Sequence, residues 1–127
     1  IVRLSRFRAV RHWPETLTAQ CFPFASILLA MGRTHIDFFS LDVEGPELEI
    51  LRTIPMDKIH IDVFSIEYRL SDNVNINEKG SLDKLNGIRK FFEQTGLYKE
   101  IGILPWGTHD NGEKREGKGL DVLFKRL

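Results

Sequence analysis

The sequence predicts an α/β fold in which parallel strands alternate with helices on both faces and the chain closes on an antiparallel hairpin. Three observations carry this expectation. Two runs of β-forming residues, Ile36–Leu41 and Ile61–Ile66, flank a stretch with helical spacing, and strand–helix alternation implies right-handed crossovers and a parallel sheet. Both runs are apolar at consecutive positions rather than at every second one, as in strands covered on each face. The last two strand-like runs, Tyr98–Leu104 and Leu120–Phe124, are joined by a polar, glycine-rich segment. Such a segment does not hold a crossover helix, so the two runs pair antiparallel.

Each element has its own signals. Residues 1–20 carry Arg3, Arg6, Arg8 and Arg11 with a single aromatic, Phe7, among them and break near Pro14, which suits a basic, solvated flank. Phe22–Met31 reads as a helix, with Pro23 in its first turn and Gly32 as its left-handed cap. It is apolar nearly all round, the mark of a helix buried on most sides. Ile36–Leu41 follows as a central strand. Gly45-Pro46 then punctuates, and Glu47–Ile54 resumes helical spacing with Leu48, Leu51 and Ile54 on one side. After the second strand and a polar loop over Ser71–Gly80, a longer helix is expected over Ser81–Thr95. Its apolar stripe is Leu82, Leu85, Ile88 and Phe92, with Asp83 in the first turn and Gly96 at the end. Gly87 inside it costs about 1 kcal/mol relative to alanine.

Composition narrows the function classes. The chain has 127 residues, 42% hydrophobic and 28% charged, which suits one globular domain and excludes a disordered or disulfide-rich chain. Eighteen basic side chains balance eighteen acidic ones, which argues against a nucleic-acid binder driven by phosphate neutralisation. The single Cys21 forms no internal disulfide. The apolar run Cys21–Met31 is shorter than the roughly 20 residues that span a bilayer. A chain that begins with Ile1 is expected to be a fragment, so any membrane attachment would lie in an anchor outside it.

Two octapeptides carry the candidate chemistry. His35-Ile-Asp-Phe-Phe-Ser-Leu-Asp42 and His60-Ile-Asp-Val-Phe-Ser-Ile-Glu67 agree at five of eight positions, and each ends in a carboxylate. In open parallel sheets ligands bind beyond the carboxyl ends of the strands. Neighbouring strands lie about 4.8 Å apart, so Asp42 and Glu67 would emerge side by side. Adjacent carboxylates repel and one titrates high unless a cation or a substrate donor lies between them. Asp42, Glu44 and Glu67 are therefore the candidate catalytic residues. The alternative is that Asp42 and Glu67 merely cap the helices that follow. Glu47 falls on the apolar side of its helix, where a charge must be paired; a self-capping loop around Glu44 and Glu47 accounts for it as well as catalysis does. His35 and His60 open their strands at the opposite edge and read as boundary residues. His12 and His109 are too far apart in sequence for a metal box, and no metal site is expected.

At His35–Ile54 the sequence resembles the signature of FkbM-type methyltransferase domains, an aspartate in the strand followed by Asp-x-Glu-Gly-x-Glu, then Leu and Arg. Asp37, Asp42, Glu44, Gly45, Glu47, Leu51 and Arg52 stand at its positions. The resemblance covers about residues 21–124. It implies a Rossmann-like, seven-stranded S-adenosylmethionine-dependent domain, of which residues 21–127 would be the C-terminal half and residues 1–20 the flank. The chain would supply the fourth to seventh strands, and the missing N-terminal half would be its partner. The implied activity is O-methyl transfer to a hydroxyl of a small molecule, glycan or lipid, with Asp42, Glu44 and Glu67 on the acceptor side and Asp37, Gly45 and Glu47 as motif positions. Such domains hold the cofactor on a glycine-rich turn, and no Gly-x-Gly-x-x-Gly occurs in this sequence. The wording of residues 20–30 and 53–59 further resembles an invertebrate Star-like branch. That branch implies instead a non-catalytic module in endoplasmic reticulum-to-Golgi and endosomal transport, with an endomembrane location; the alternative location is cytoplasmic.

Overall fold

The computed structural model describes residues 20–71, 76–105 and 119–127. The element order is α1 (Phe24–Ala30), β1 (His35–Leu41), α2 (Glu47–Arg52), β2 (His60–Glu67), α3 (Glu78–Thr95), β3 (Tyr98–Pro105) and β4 (Gly119–Arg126). The four strands form one mixed sheet in the order β1-β2-β4-β3. β1 and β2 run parallel, whereas β4 lies antiparallel to both β2 and β3. The terminal pair is thus an antiparallel hairpin, and its second strand, not its first, docks on β2. Among the described residues no helix is long and apolar enough to cross a membrane.

The twin octapeptides pair with each other in phase. His35 faces His60, Ile36 faces Ile61, Phe39 faces Phe64, Ser40 faces Ser65 and Leu41 faces Ile66. Their environments nevertheless differ. β2 has neighbours on both edges and buries Ile61, Phe64 and Ile66 completely, whereas β1 ends the sheet among the described residues. Phe39 still packs inward, between Phe24 of α1 at 4.3 Å and Phe64 at 5.8 Å between ring centroids. Its neighbour Phe38 is 56% exposed, which corrects the expectation that β1 is a fully covered central strand.

The core is an aromatic layer under α3. Phe92 stacks on Phe124 at 4.1 Å, and Phe64 and Tyr98 lie against it at 5.2 and 5.1 Å. Each fully buried side chain of this size stabilises the fold by about 2–3 kcal/mol before entropy is charged. α1 and α3 reach this layer through Phe24 and Phe92, and α2 lies against α3, its Leu48 touching the Gly87 position. The described helices therefore share one face, and the expected two-sided cover is not seen among the described residues.

Two helices differ from expectation. α1 is short and buries only Leu28; Ile27, Leu29 and Met31 are exposed. Being apolar all round does not bury a helix that rests on an edge strand. α3 starts three residues before the expected Ser81, because the Asn77 side chain accepts the Gly80 N–H as an N-cap. The inward face at its start is accordingly Ser81 and Lys84, and the expected stripe residue Leu82 is 56% exposed. Gly96 closes the helix at φ 63°, as expected of a left-handed cap. The basic flank and the tip of the terminal hairpin lie outside the described residues.

Candidate functional site

The carboxyl ends of β1 and β2 meet at one edge of the sheet, and the segment after β1 turns sharply there. Glu44 adopts φ 58° and Gly45 φ 141°. Space around Gly45 is open to a Cβ, so its requirement is conformational. A non-glycine residue in the left-handed region stores strain that its surroundings must hold. Glu47 holds it. Its Oε1 accepts the Val43 N–H at 3.0 Å and the Gly45 N–H at 3.1 Å, and its Oε2 accepts Gly45 as well. The loop is therefore tied by the first residue of the helix it leads into, while Pro46, at the N-cap, makes no side-chain cap.

Glu47 is completely buried, and the ammonium of Lys84 on α3 lies 2.6 Å from its Oε2, itself only 8% exposed. At that separation the pair combines charge attraction with a side-chain hydrogen bond. Burial pushes the Glu47 carboxyl up, but Lys84 and the backbone N–H groups of the loop outweigh it and hold the carboxyl below its usual range. Lys84 is the site residue that sequence reasoning missed. The available signal was its spacing, three residues before Gly87 and four before Ile88, on the inward face of α3.

The tied loop delivers three carboxylates to one place. Asp42, Glu44 and Glu67 each offer an oxygen within 4.8 Å of the others. Asp42 and Glu44 are exposed, whereas Glu67 is 6% exposed and no donor reaches its Oε2. Burial, the charges of Asp42 and Glu44, and a hydrogen bond with Asp42 push the Glu67 carboxyl up to about 7, against the pull of Lys84. Two carboxyl groups can share a hydrogen bond only if one carries a proton, and its raised value makes Glu67 the carrier up to near-neutral pH. Beside it Ser65 donates to Asp121 Oδ2 at 2.6 Å, the register partner of Glu67 being that same aspartate. The cluster can bind a hydroxyl or amine donor, accept its proton, or hold a hard cation through oxygen ligands. Among the described residues the N–H groups at the starts of α2 and α3 are met by Glu47 and Asn77 rather than by Asp42 or Glu67. Asp37 lies exposed in mid-strand on β1, away from these carboxylates in sequence and contact.

The shared proton has a consequence for stability. Between the ordinary value of 4.5 and the folded value of about 7, the folded chain holds a proton that the unfolded chain has released. Stability therefore falls as pH rises through that window and levels off above it, by an amount on the order of 2 kcal/mol. Glu67→Gln is expected to remove this slope, leaving the variant the more stable form at about pH 8. Urea midpoints measured across pH check it; a parallel slope in the variant would place the titrating group elsewhere.

One family model matches the chain, that of the Methyltransferase FkbM domain, over residues 3–96. The matched range includes the whole acidic cluster, Glu47 and Lys84, and stops before β3 and β4. No curated protein and no solved structure matches the chain. The Star-like wording finds no support in these comparisons.

Proposed function

The chain belongs to the FkbM methyltransferase domain family, and on that premise we propose that it forms the acceptor side of an O-methyltransferase site. Asp42 and Glu67 bind the acceptor hydroxyl and take its proton, and Glu44 orients the group from the exposed side. The observation that carries this reading is the juxtaposition of an exposed aspartate with a buried, proton-holding glutamate at the carboxyl edge of a parallel strand pair. A base whose pKa lies near the working pH accepts a proton most effectively. The exposed mouth suits a hydroxyl on a small molecule, a glycan or a lipid headgroup.

S-adenosylmethionine is the cofactor that the family implies. The residues described here do not fit it: no glycine-rich turn follows any described strand, and the carboxylates at the cluster would hold a sulfonium by charge alone. This chain's own residues therefore account for acceptor binding and proton removal. The order β1-β2-β4-β3, with an antiparallel last strand between two neighbours, supports reading the sheet as the C-terminal part of a Rossmann-like domain. Calorimetry of the full-length protein with S-adenosylmethionine tests the assignment. Saturable binding is expected, and no heat at millimolar cofactor would remove the enzyme reading.

A further inference from the structure

The opposite edge of the same strand pair carries a second convergent group. His35 and His60 open β1 and β2 and are register partners. Their rings meet edge to face at 4.9 Å. Both aim Nε2 at one oxygen of Asp62, His60 at 2.8 Å and His35 at 3.1 Å. One ligand atom from each of the three residues lies within 4.8 Å of the other two.

We propose that His35, His60 and Asp62 form a binding site for a Zn2+ ion that clips β1 to β2 at the amino edge of the sheet. Zn2+ binds imidazole nitrogen and carboxylate oxygen at about 2.0–2.2 Å in tetrahedral geometry. Ligand atoms around it stand about 3.3 Å apart. The observed N···O separations fall a few tenths of an ångström short of that, and the imidazole side chains, 56% and 50% exposed, have room to turn outward. The donor set of two imidazoles and one carboxylate suits a borderline transition ion rather than Mg2+ or Ca2+. Three protein ligands leave a fourth position to water, which the exposure of the site supplies.

The site is distinct from the acidic cluster. His35 precedes Asp42, and His60 precedes Glu67, by seven positions, about 23 Å along a strand. The donor sets differ as well, all oxygen at one edge and mostly nitrogen at the other, so the two can be told apart by the ions they prefer. Among the described residues the first strand of the pair ends the sheet, so a clip there would fasten the part of the ladder with fewest neighbours. Ligand atoms must be deprotonated to bind, so affinity rises with pH.

The test is titration of the chain with Zn2+ in excess Mg2+, added to compete for the oxygen cluster, and with Co2+ as a visible-absorption probe. One Zn2+ per chain is expected, with the Co2+ spectrum of a mixed nitrogen–oxygen site and a rise in Tm on metal addition. His35→Ala, His60→Ala and Asp62→Asn should each weaken binding by at least about tenfold, and the Tm rise should vanish in the His35→Ala/His60→Ala double variant. Glu67→Gln should change neither. Unaltered Zn2+ affinity in the double variant, or no binding up to about 1 mM, overturns the proposal.

Discussion

Lys84→Met is expected to destabilise the domain by about 3–5 kcal/mol, the largest stability change of any single substitution at the site. The side chain is 8% exposed and its ammonium faces a carboxylate that is fully buried. Removing the cation leaves Glu47 with a charge that the surrounding side chains do not solvate. The carboxylate must then take up a proton, which weakens its hold on the Val43 and Gly45 N–H groups, or remain ionised at the cost of burial. Total domain stabilities are only about 5–15 kcal/mol, so the change should be plain in urea unfolding. Its size should grow with pH, because the unfolded glutamate ionises freely while the buried one resists. Glu47→Gln keeps the shape and one acceptor but strands the ammonium, so it too is costly. In the double variant Glu47→Gln/Lys84→Met neither charge of the pair remains, and part of the loss should be recovered. Two single losses below about 1 kcal/mol would mean that the pair is solvated in solution and that the loop is tied by its hydrogen bonds alone.

The route from sequence to this site was partly open. The repeated His-Ile-Asp-x-Phe-Ser unit predicted two strands in matched surroundings, and the strands do pair with identical residues opposite each other. That placed Asp42 and Glu67 together, because both units end in an acid at the same position of the repeat. Burial did not follow from the repeat. Ser40 is exposed and Ser65 is buried, since among the described residues β2 has a neighbour on each edge and β1 has one on a single edge. Nothing in eight residues reports the number of neighbours. α1 was opaque for the same reason: its apolar faces record what it could cover, not what it meets among the described residues. Lys84 escaped notice because an ionisable residue on a helix is assigned to solvent by default. Only the buried Glu47, supplied by a different helix, makes its inward position sensible. The strand order at the hairpin was equally out of reach, because antiparallel pairing of β3 with β4 leaves open which of them joins β2.

Asp42→Asn is expected to lower methyl transfer by the full-length protein by about 10²–10⁴-fold, the range that a positioned proton acceptor contributes. The substituted side chain still accepts a hydrogen bond from a hydroxyl but cannot keep its proton, so KM should change less than kcat. The pH profile separates this role from a structural one. With the wild-type pair, one proton is shared below the Glu67 value of about 7 and lost above it, so the rate should climb through neutrality and then level. Glu67→Gln removes the group that titrates there. The inflection near neutrality should then disappear even where the plateau rate falls. A structural role for Glu67 would lower the plateau and leave the inflection in place. Strain at Glu44 links the two edges of this chemistry: the left-handed turn that brings its carboxylate beside Asp42 is held by Glu47, and Glu47 by Lys84. Loosening that tie should reduce turnover more than it reduces cofactor affinity. Wild-type rates in both Asp42→Asn and Glu67→Gln, with the fold intact, would clear the pair of proton transfer.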